Sequence, residues 1–335
     1  MKRRTLLTIT GIVVAAAAAL AWLYIDMQRQ LDQPLNVRQA QVLNIRQGTS
    51  LKAIAHELAR RNWFEHPNYL VYAGRSNGLA GSIKAGEYEV KPGLTGRQFL
   101  ALIVSGKVVQ YAITIPEGWT FRQILKAVAE NPHFLHTIDG ADDNAIMAML
   151  GHAGQQPEGR FFPDTYLFPS GTRDVDFLKR AYKTMERVLD EEWQQRAVGL
   201  PYHDPYQALI MASIIEKETA LPDERYKIAG VFVRRLQRGI KLQTDPTVIY
   251  AVGDTYNGDI TNRDLNLDSP YNTYRYAGLP PTPIAAPGRE SIRAALQPAE
   301  GNELYFVATG DGRHHFSATL AEHNRAVAKY QLKKK

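Results

Sequence analysis

Glu218 stands at the end of an apolar helical pattern, where a carboxyl group could transfer a proton. Over Gln207–Thr219 the large apolar residues recur at helical spacing and define one arc. Glu218 projects into that arc, whereas Glu216 projects to the other side. Apolar surroundings make a carboxylate costly and raise its pKa, so the acid could protonate a leaving oxygen, as glycosidic bond cleavage requires. The alternative is a helix-end glutamate that turns to solvent before Pro222.

The other polar candidates lie in three short segments, and each also has a structural interpretation. The candidates for substrate binding are Gln243, Asp245, Tyr271, Asn272, Tyr274 and Arg160. Tyrosine pairs an apolar ring with a polar tip, which suits carbohydrate, although packing would use the same rings. Asp245-Pro246 is equally an ordinary turn signal. Glu158 and Asp164 are candidate second carboxylates, or partners of Arg160 in a structural salt bridge.

Metal and cofactor chemistry have little support in the sequence. The chain has no cysteine, which excludes thiolate nucleophiles and cysteine-ligated metals. His314, His315 and His323 match no metal-binding spacing. No P-loop, dinucleotide fingerprint or Gly-x-Ser-x-Gly elbow is present. We therefore predict no metal and no cofactor. Nucleic acid is not an expected partner, because the net charge of +6 is modest for 335 residues.

Six segments resemble, in the same order, the MltG/YceG-like family of endolytic murein (peptidoglycan) transglycosylases. They are EGRFFPDTY at 158–166, IIEKETAL at 214–221, LQTDPTVIY at 242–250, YNTY at 271–274, GLPPTPIAAPG at 278–288 and LYFVA at 304–308. The resemblance extends from the N-terminal apolar segment to the last helix. It implies that Glu218, followed by Thr219, is the catalytic acid and base. It also implies that the segment LQTDPT at 242–247 is a loop beside the cleft.

The resemblance further implies a lyase that cleaves the MurNAc–GlcNAc bond of nascent peptidoglycan and leaves 1,6-anhydroMurNAc ends. Such cleavage would terminate strand elongation, with peptidoglycan synthases as candidate partners. Two alternatives stay open at this point. One is a non-catalytic, anchored peptidoglycan-binding protein. The other is a lysozyme-type hydrolase, which would use water and a second carboxylate.

The N-terminus has the pattern of a single-pass membrane anchor. Lys2–Arg4 precede an uncharged run, Thr5–Ile25, whose 21 residues would extend about 30 Å as a helix and cross a bilayer core. The preceding positive charges predict a cytoplasmic N-terminus at the bacterial inner membrane, with the rest in the periplasm. A cleaved signal peptide is the alternative, because Ala19–Ala21 has the small-x-small form of a cleavage site.

The pattern of the whole chain predicts an α+β fold in four parts. Residues 1–25 form the anchor, 26–40 a polar linker, 41–109 a LysM-like module and 110–335 a helix-rich catalytic domain. In the module, a strand at 42–45, helices from Leu51 and near 67–73, and a strand at 86–90 resemble LysM units that bind N-acetylglucosamine polymers. A generic small α/β unit is the alternative. The catalytic domain is predicted to have a strand at 111–115, helices near 121–130, 144–151, 175–197, 205–220, 223–239 and 289–296, a strand at 304–308 and a final helix at 320–331.

Overall fold

The computed structural model describes residues 2–332, with side chains from Leu6 onward. The chain divides into two compact units. Unit 1 extends to Tyr111 and includes Leu167–Gly171, whereas unit 2 comprises Ala112–Tyr166 and the chain from Thr172 on. Every sheet in the described residues has two strands, and helices dominate. This mixture of helices and sheet agrees with the α+β prediction.

Unit 1 has a strand–helix–helix–strand core, as the sequence predicts. Its elements are α1 (Lys2–Asp32), β1 (Gln41–Ile45), α2 (Leu51–Arg60), α3 (Pro67–Ser76), β2 (Gly86–Val90) and α4 (Gly96–Ser105). Strands β1 and β2 pair antiparallel. Helix α2 starts as predicted, since Ser50 Oγ accepts a hydrogen bond from the Ala53 amide. This order establishes a small α/β unit, and its likeness to LysM remains a prediction.

The polar linker predicted at residues 26–40 is instead part of unit 1. Helix α1 continues to Asp32, and the apolar side chains of this stretch enter the unit 1 core: Met27, Leu31, Leu35 and Val37. Arg97 Nε also donates to Asp32 Oδ1 at 2.7 Å. The prediction was wrong because the average polarity of the stretch hides four well-spaced apolar residues.

The N-terminal part of α1 keeps its apolar side chains outside the core. From Leu6 to Ile25 every residue is exposed. Within the described residues, one helical segment, Leu6–Asp32, is both long enough and apolar enough to cross a membrane, judged by its length and composition. It is therefore a candidate membrane span.

Unit 2 is built mainly of helices. After β3 (Gln110–Thr114), the chain forms α5 (Phe121–Ala129), β4 (Phe134–Leu135), α6 (Asp143–Leu150), β5 (Thr165–Pro169), β6 (Thr172–Arg173), α7 (Asp174–Gln194), α8 (Pro205–Glu218), α9 (Pro222–Gln237), α10 (Asp245–Val252), α11 (Asn262–Leu265), α12 (Arg289–Leu296), β7 (Tyr305–Ala308), β8 (His314–Ser317) and α13 (Leu320–Val327), which ends in a π-helical turn (Ala328–Leu332). The sheets pair β3 with β5, β4 with β6 and β7 with β8; the first two residues of β3 and the last three of β5 belong to unit 1. The predicted helices and strands of this region are present to within a few residues.

Helix α8 is the central element of unit 2. It packs against α7, α9, α10 and α12, and every residue from Ala208 to Ile215 is buried. Asp204 caps its start by accepting a hydrogen bond from the Gln207 amide at 2.9 Å, and Pro205 fits the first turn. The helix ends at Glu218, where Thr219 is extended. A helix fixed along its whole length thus sets the position of Glu218.

Candidate active site

A cleft of about 610 Å³ in unit 2 opens beside the last residue of α8. Glu218 is half-buried and lines this cleft. Its polar and charged neighbours in the lining are Arg235, Gln243, Asp245, Tyr274, Tyr305, His314, His323, Asn324 and Gln331. The arrangement gives one partly buried carboxyl a polar groove in which an extended polymer could lie.

Glu218 is held by a single hydrogen bond in the described structure. The hydroxyl of Thr244 donates to its Oε1. Burial is the largest effect on the pKa of Glu218 and raises it, the Thr244 hydrogen bond lowers it, and the nearby charge of Asp245 raises it by a smaller amount, which together give a pKa of about 7. A large fraction of Glu218 is therefore protonated near neutral pH, as a general acid requires.

Glu216, two residues earlier, also has a largely buried side chain, but it is paired. Its side chain is 7% exposed, and its Oε1 lies 3.7 Å from Nη2 of Arg225. Its Oε2 accepts a hydrogen bond from the Gly288 amide at 3.0 Å. The projection that sent Glu216 away from the apolar arc does not separate the two acids, because α8 is buried on all sides. Their partners separate them, because Glu216 faces a guanidinium and a backbone amide, whereas Glu218 accepts only from a neutral hydroxyl.

Three predicted binding residues, Gln243, Asp245 and Tyr274, line the cleft with Glu218. The Tyr274 hydroxyl donates to Asp245 Oδ1 at 2.5 Å. Gln243 has a positive φ of 54°, a strained backbone conformation that side-chain-bearing residues rarely adopt and that recurs at functional sites. The loop that the resemblance implies is present only at 242–244, because Asp245 begins α10 with Pro246 in the first turn.

Tyr271 and Asn272 do not line the cleft. The Tyr271 ring packs 4.9 Å from the Tyr250 ring, and its hydroxyl bonds the Thr282 hydroxyl at 2.9 Å. Asn272 is fully buried; its Nδ2 donates to the carbonyl of Leu267 at 2.8 Å, among others. Its Oδ1 accepts from the Tyr274 amide at 3.0 Å. The structure therefore gives both side chains a supporting role, in which Asn272 holds the backbone of Tyr274.

Arg160, Glu158 and Asp164 also lie outside the cleft lining. Glu158 is buried and accepts hydrogen bonds from the Phe121 amide at 2.9 Å and the Tyr250 hydroxyl at 3.1 Å. Burial raises the pKa of Glu158 to about 7. Arg160 stacks over the Tyr206 ring at 4.2 Å, Asp164 is exposed, and among the described residues neither acid forms an ion pair with Arg160. The alternative of a salt bridge is thus not what the structure shows.

The sequence reasoning missed several cleft residues. Thr244 lies inside the 242–250 segment that resembles the family, but the hydrophobic periodicity of a sequence does not indicate what a single threonine contacts. Arg235 reaches the cleft from α9, and its guanidinium donates to Gln243 Oε1 and, at 2.9 Å, to the Leu304 carbonyl. His314 Nδ1 lies 2.7 Å from Glu224 Oε2. Across residues 2–332 no group of three or more histidines and acids is arranged to hold a metal.

Residues 43–329 match the YceG-like family. The chain belongs to the YceG-like family. A relative in this family from Bacillus subtilis, named endolytic murein transglycosylase, is 33% identical over 309 residues, which is 86% of this chain and 84% of the relative.

Other relatives agree with this family assignment. A protein of the same name from Streptococcus pneumoniae serotype 2 is 26% identical, covering 92% of this chain and 62% of its own, longer sequence. The crystal structure of a YceG-like protein from Listeria monocytogenes superposes with a TM-score of 0.54 at 30% identity, covering 86% of this chain and 99% of that one. Sequence and fold thus support the same family.

Proposed function

We propose that this protein is a membrane-anchored endolytic lytic transglycosylase, a lyase that cuts the MurNAc–GlcNAc bond of peptidoglycan. The observation that carries the proposal is Glu218, a half-buried carboxyl without a charged partner, whose pKa of about 7 suits it for proton transfer at the edge of a polar cleft. Membership of the YceG-like family supports the substrate, because relatives in it carry the name endolytic murein transglycosylase.

In the proposed mechanism Glu218 acts twice. As a carboxylic acid it protonates the oxygen between MurNAc and GlcNAc, and the C1–O bond breaks. As a carboxylate it then removes the proton from the C6 hydroxyl of the same MurNAc, whose oxygen closes onto C1. The products are a 1,6-anhydroMurNAc end and a GlcNAc end with a free hydroxyl. Glu218 is protonated again, so no water is consumed and no second carboxylate is required.

The cleft residues would hold the sugars around this bond. Gln243 and Asp245 can bond hydroxyl and amide groups, and Tyr274 offers a ring face with a polar tip. Water exclusion is part of their role, because the C6 hydroxyl must reach C1 before a solvent molecule does.

The anchor and unit 1 suggest where the enzyme works. Helix α1 would cross the inner membrane with its N-terminus in the cytoplasm, which places unit 2 in the periplasm close to newly made strands. The β1–α2–α3–β2 unit would bind N-acetylglucosamine polymers as a LysM-like module. Cleavage there would end the elongation of strands, beside the synthases that make them.

A lysozyme-type hydrolase is the second candidate, and Asp245 is the observation that favours it. This second carboxylate lines the same cleft, and its charge raises the pKa of Glu218. A carboxylate in that place could stabilise positive charge at C1 or direct a water molecule. The two candidates differ in the product, because hydrolysis adds water to C1 and leaves a reducing end.

The test is to analyse the new ends. The full chain in detergent micelles would be incubated with purified glycan strands, and the fragments identified by mass spectrometry. We expect internal cuts with 1,6-anhydroMurNAc ends, each lighter by one water than a reducing end. Reducing ends would favour the hydrolase. Strands that bind without being cut would favour the non-catalytic peptidoglycan-binding protein.

A further inference from the structure

Thr244 occupies the N-cap position of α10 but does not cap that helix. A threonine at this position usually accepts a hydrogen bond from an amide two or three residues on, and no such side-chain bond forms here. Its hydroxyl instead donates to Glu218 Oε1. Other N-cap threonines in the described chain do cap their helices: Thr95, Thr120, Thr261 and Thr319. The Thr244 hydroxyl therefore bonds Glu218 and leaves α10 without a side-chain cap.

Two buried threonines hold the backbone of Thr244 on both sides. Its amide donates to the Thr273 hydroxyl at 3.1 Å, and its carbonyl accepts from the Thr247 hydroxyl at 2.8 Å. The two hydroxyls lie 2.8 Å apart. Because Thr247 donates its hydrogen to the carbonyl, Thr273 supplies the hydrogen between them. We call Thr247 and Thr273 the threonine clamp; both are at most 2% exposed.

We infer that Thr244 is a positioning residue for Glu218, and that the threonine clamp holds its hydroxyl where it can orient the carboxyl group. The inference rests on the proposed function of Glu218. A glutamate carboxyl rotates with little preference about its last torsion. The bond from Thr244 fixes Oε1, which leaves Oε2 to exchange protons with the substrate.

The same bond serves both halves of the proposed reaction. Oε1 can accept from Thr244 whether Oε2 carries a proton or not, so the side chains need not rearrange between the two proton transfers. A donor to the carboxylate also favours its ionised form, which opposes the effect of burial. Without the Thr244 hydroxyl, Glu218 would stay protonated to higher pH and its carboxyl would be less well oriented.

The first test compares Thr244→Val and Thr244→Ser in the full chain. For each, kcat, KM and the pH profile are measured by the release of 1,6-anhydro ends. We expect Thr244→Val to lower kcat by roughly ten- to a hundredfold, since small misplacements of reacting groups have effects of this size. KM should change little, and the alkaline limb of the profile should move to higher pH. Thr244→Ser, which keeps the hydroxyl, should recover most of kcat and the original limb.

The matched control is Thr120→Val. Thr120 caps α5 through a capping box and does not line the cleft. Loss of the Thr120 hydroxyl should lower the unfolding temperature without moving the alkaline limb of the pH profile of kcat. If Thr244→Val behaves like this control, or if the valine and serine variants lose activity equally with an unmoved limb, Thr244 has a packing role and the inference is overturned.

A second measurement separates this inference from the proposed function. With ¹³C at the glutamate δ-carbon, NMR follows the titration of Glu218, assigned by the signal missing in Glu218→Gln. We expect a higher midpoint in Thr244→Val than in wild type, and an equal midpoint would overturn the inference even if wild type makes anhydro ends. If wild type makes none, the proposed function fails and the titration still decides whether Thr244 acts on Glu218. Should Thr244→Val not fold, Thr273→Val loosens the threonine clamp and is judged by the same readouts.

Discussion

Two glutamates two residues apart differ in the partners of their carboxyl groups. Glu216 lies 3.7 Å from Arg225 and accepts a hydrogen bond from the Gly288 amide. Glu218 has no cationic partner; burial raises its pKa to about 7, although the hydrogen bond from the Thr244 hydroxyl opposes this effect. The acid without an ionic partner is therefore the one able to exchange a proton near neutral pH.

The raised pKa of Glu218 predicts the pH dependence of cleavage. The acid must be protonated to begin the reaction, so the protonated fraction, and with it kcat, should fall as the pH rises through about 7. Activity at pH 8.4 should be about sevenfold below that at pH 7.4, because the protonated fraction of an acid with a pKa of about 7 falls from about 0.28 to about 0.04 between these pH values. The measurement is kcat from pH 5 to 9 in one buffer series. A rate that keeps rising through pH 9 would contradict it.

Glu158 should make the stability of the fold depend on pH. Burial raises its pKa from 4.5 to about 7, so the folded state binds more protons than the unfolded chain between these values. Its contribution is thus present at low pH, and the free energy of unfolding should decline, by about 3 kcal/mol, as the pH rises from about 4.5 to about 7.

Glu158→Gln should remove this part of the decline, as measured by denaturant unfolding at several pH values. Asp164→Asn is the control, because Asp164 is exposed and should leave the slope unchanged. The raised pKa of Glu218 makes the free energy of unfolding decline with pH in the same direction. The quantity to compare is therefore the difference in slope between Glu158→Gln and wild type. Equal slopes in wild type and Glu158→Gln would contradict the prediction.

At the residue scale the sequence singles out acids better than binding partners. Glu218 could be named as a candidate acid because a charged residue within an apolar helical repeat is visible in one short segment of sequence. The environment of Asn272 could not be predicted from the sequence, because its hydrogen-bond partners include the carbonyls of Leu265 and Leu267, at the end of α11 and just after it, which no periodicity reveals. Thr244 was missed for the same reason, because its partner Glu218 lies in another helix.

At the scale of elements, α8 depends on packing along its whole length. Ile214 is fully buried in the unit 2 core. Ile214→Ala should leave a cavity and lower the free energy of unfolding by about 2–5 kcal/mol. Lys217→Ala, at the one exposed position of α8, should change the free energy of unfolding by about 0.5 kcal/mol or less. Equal effects in denaturant unfolding of the full chain would contradict a central, buried α8.

The predicted elements were those with clear amphipathic spacing, and the missed ones were short or masked by turn signals. Helix α10 was missed because Asp245-Pro246 reads as a turn, although proline is equally at home in the first turn of a helix. Helix α4 was missed although Thr95 and Gln98 form a capping box and Gly106 ends the helix in the left-handed conformation. These flanking residues, read together, would have revealed it.

At the scale of the whole molecule, α1 joins a candidate membrane span to a folded unit. Full-length protein should remain with membranes after alkaline extraction, and a variant without residues 2–25 should not. That variant should still fold, because Met27 and Leu31 stay in the unit 1 core. A deletion extended to residue 40 removes these residues and should lower the thermal stability of unit 1. A mature protein shortened after Ala21, seen by mass spectrometry, would instead indicate a cleaved signal peptide.

The proposed function as a whole depends on Glu218, and a comparison of two nearly identical variants tests it most directly. Glu218→Gln and Glu216→Gln each replace one carboxyl group by an amide in the last turns of α8, and each product mixture would be analysed for 1,6-anhydroMurNAc ends by mass spectrometry. We predict that Glu218→Gln abolishes these ends, with a loss on the order of a hundredfold or more, while Glu216→Gln, once shown to be folded, still forms them. Anhydro ends formed at the wild-type rate by Glu218→Gln would contradict the account.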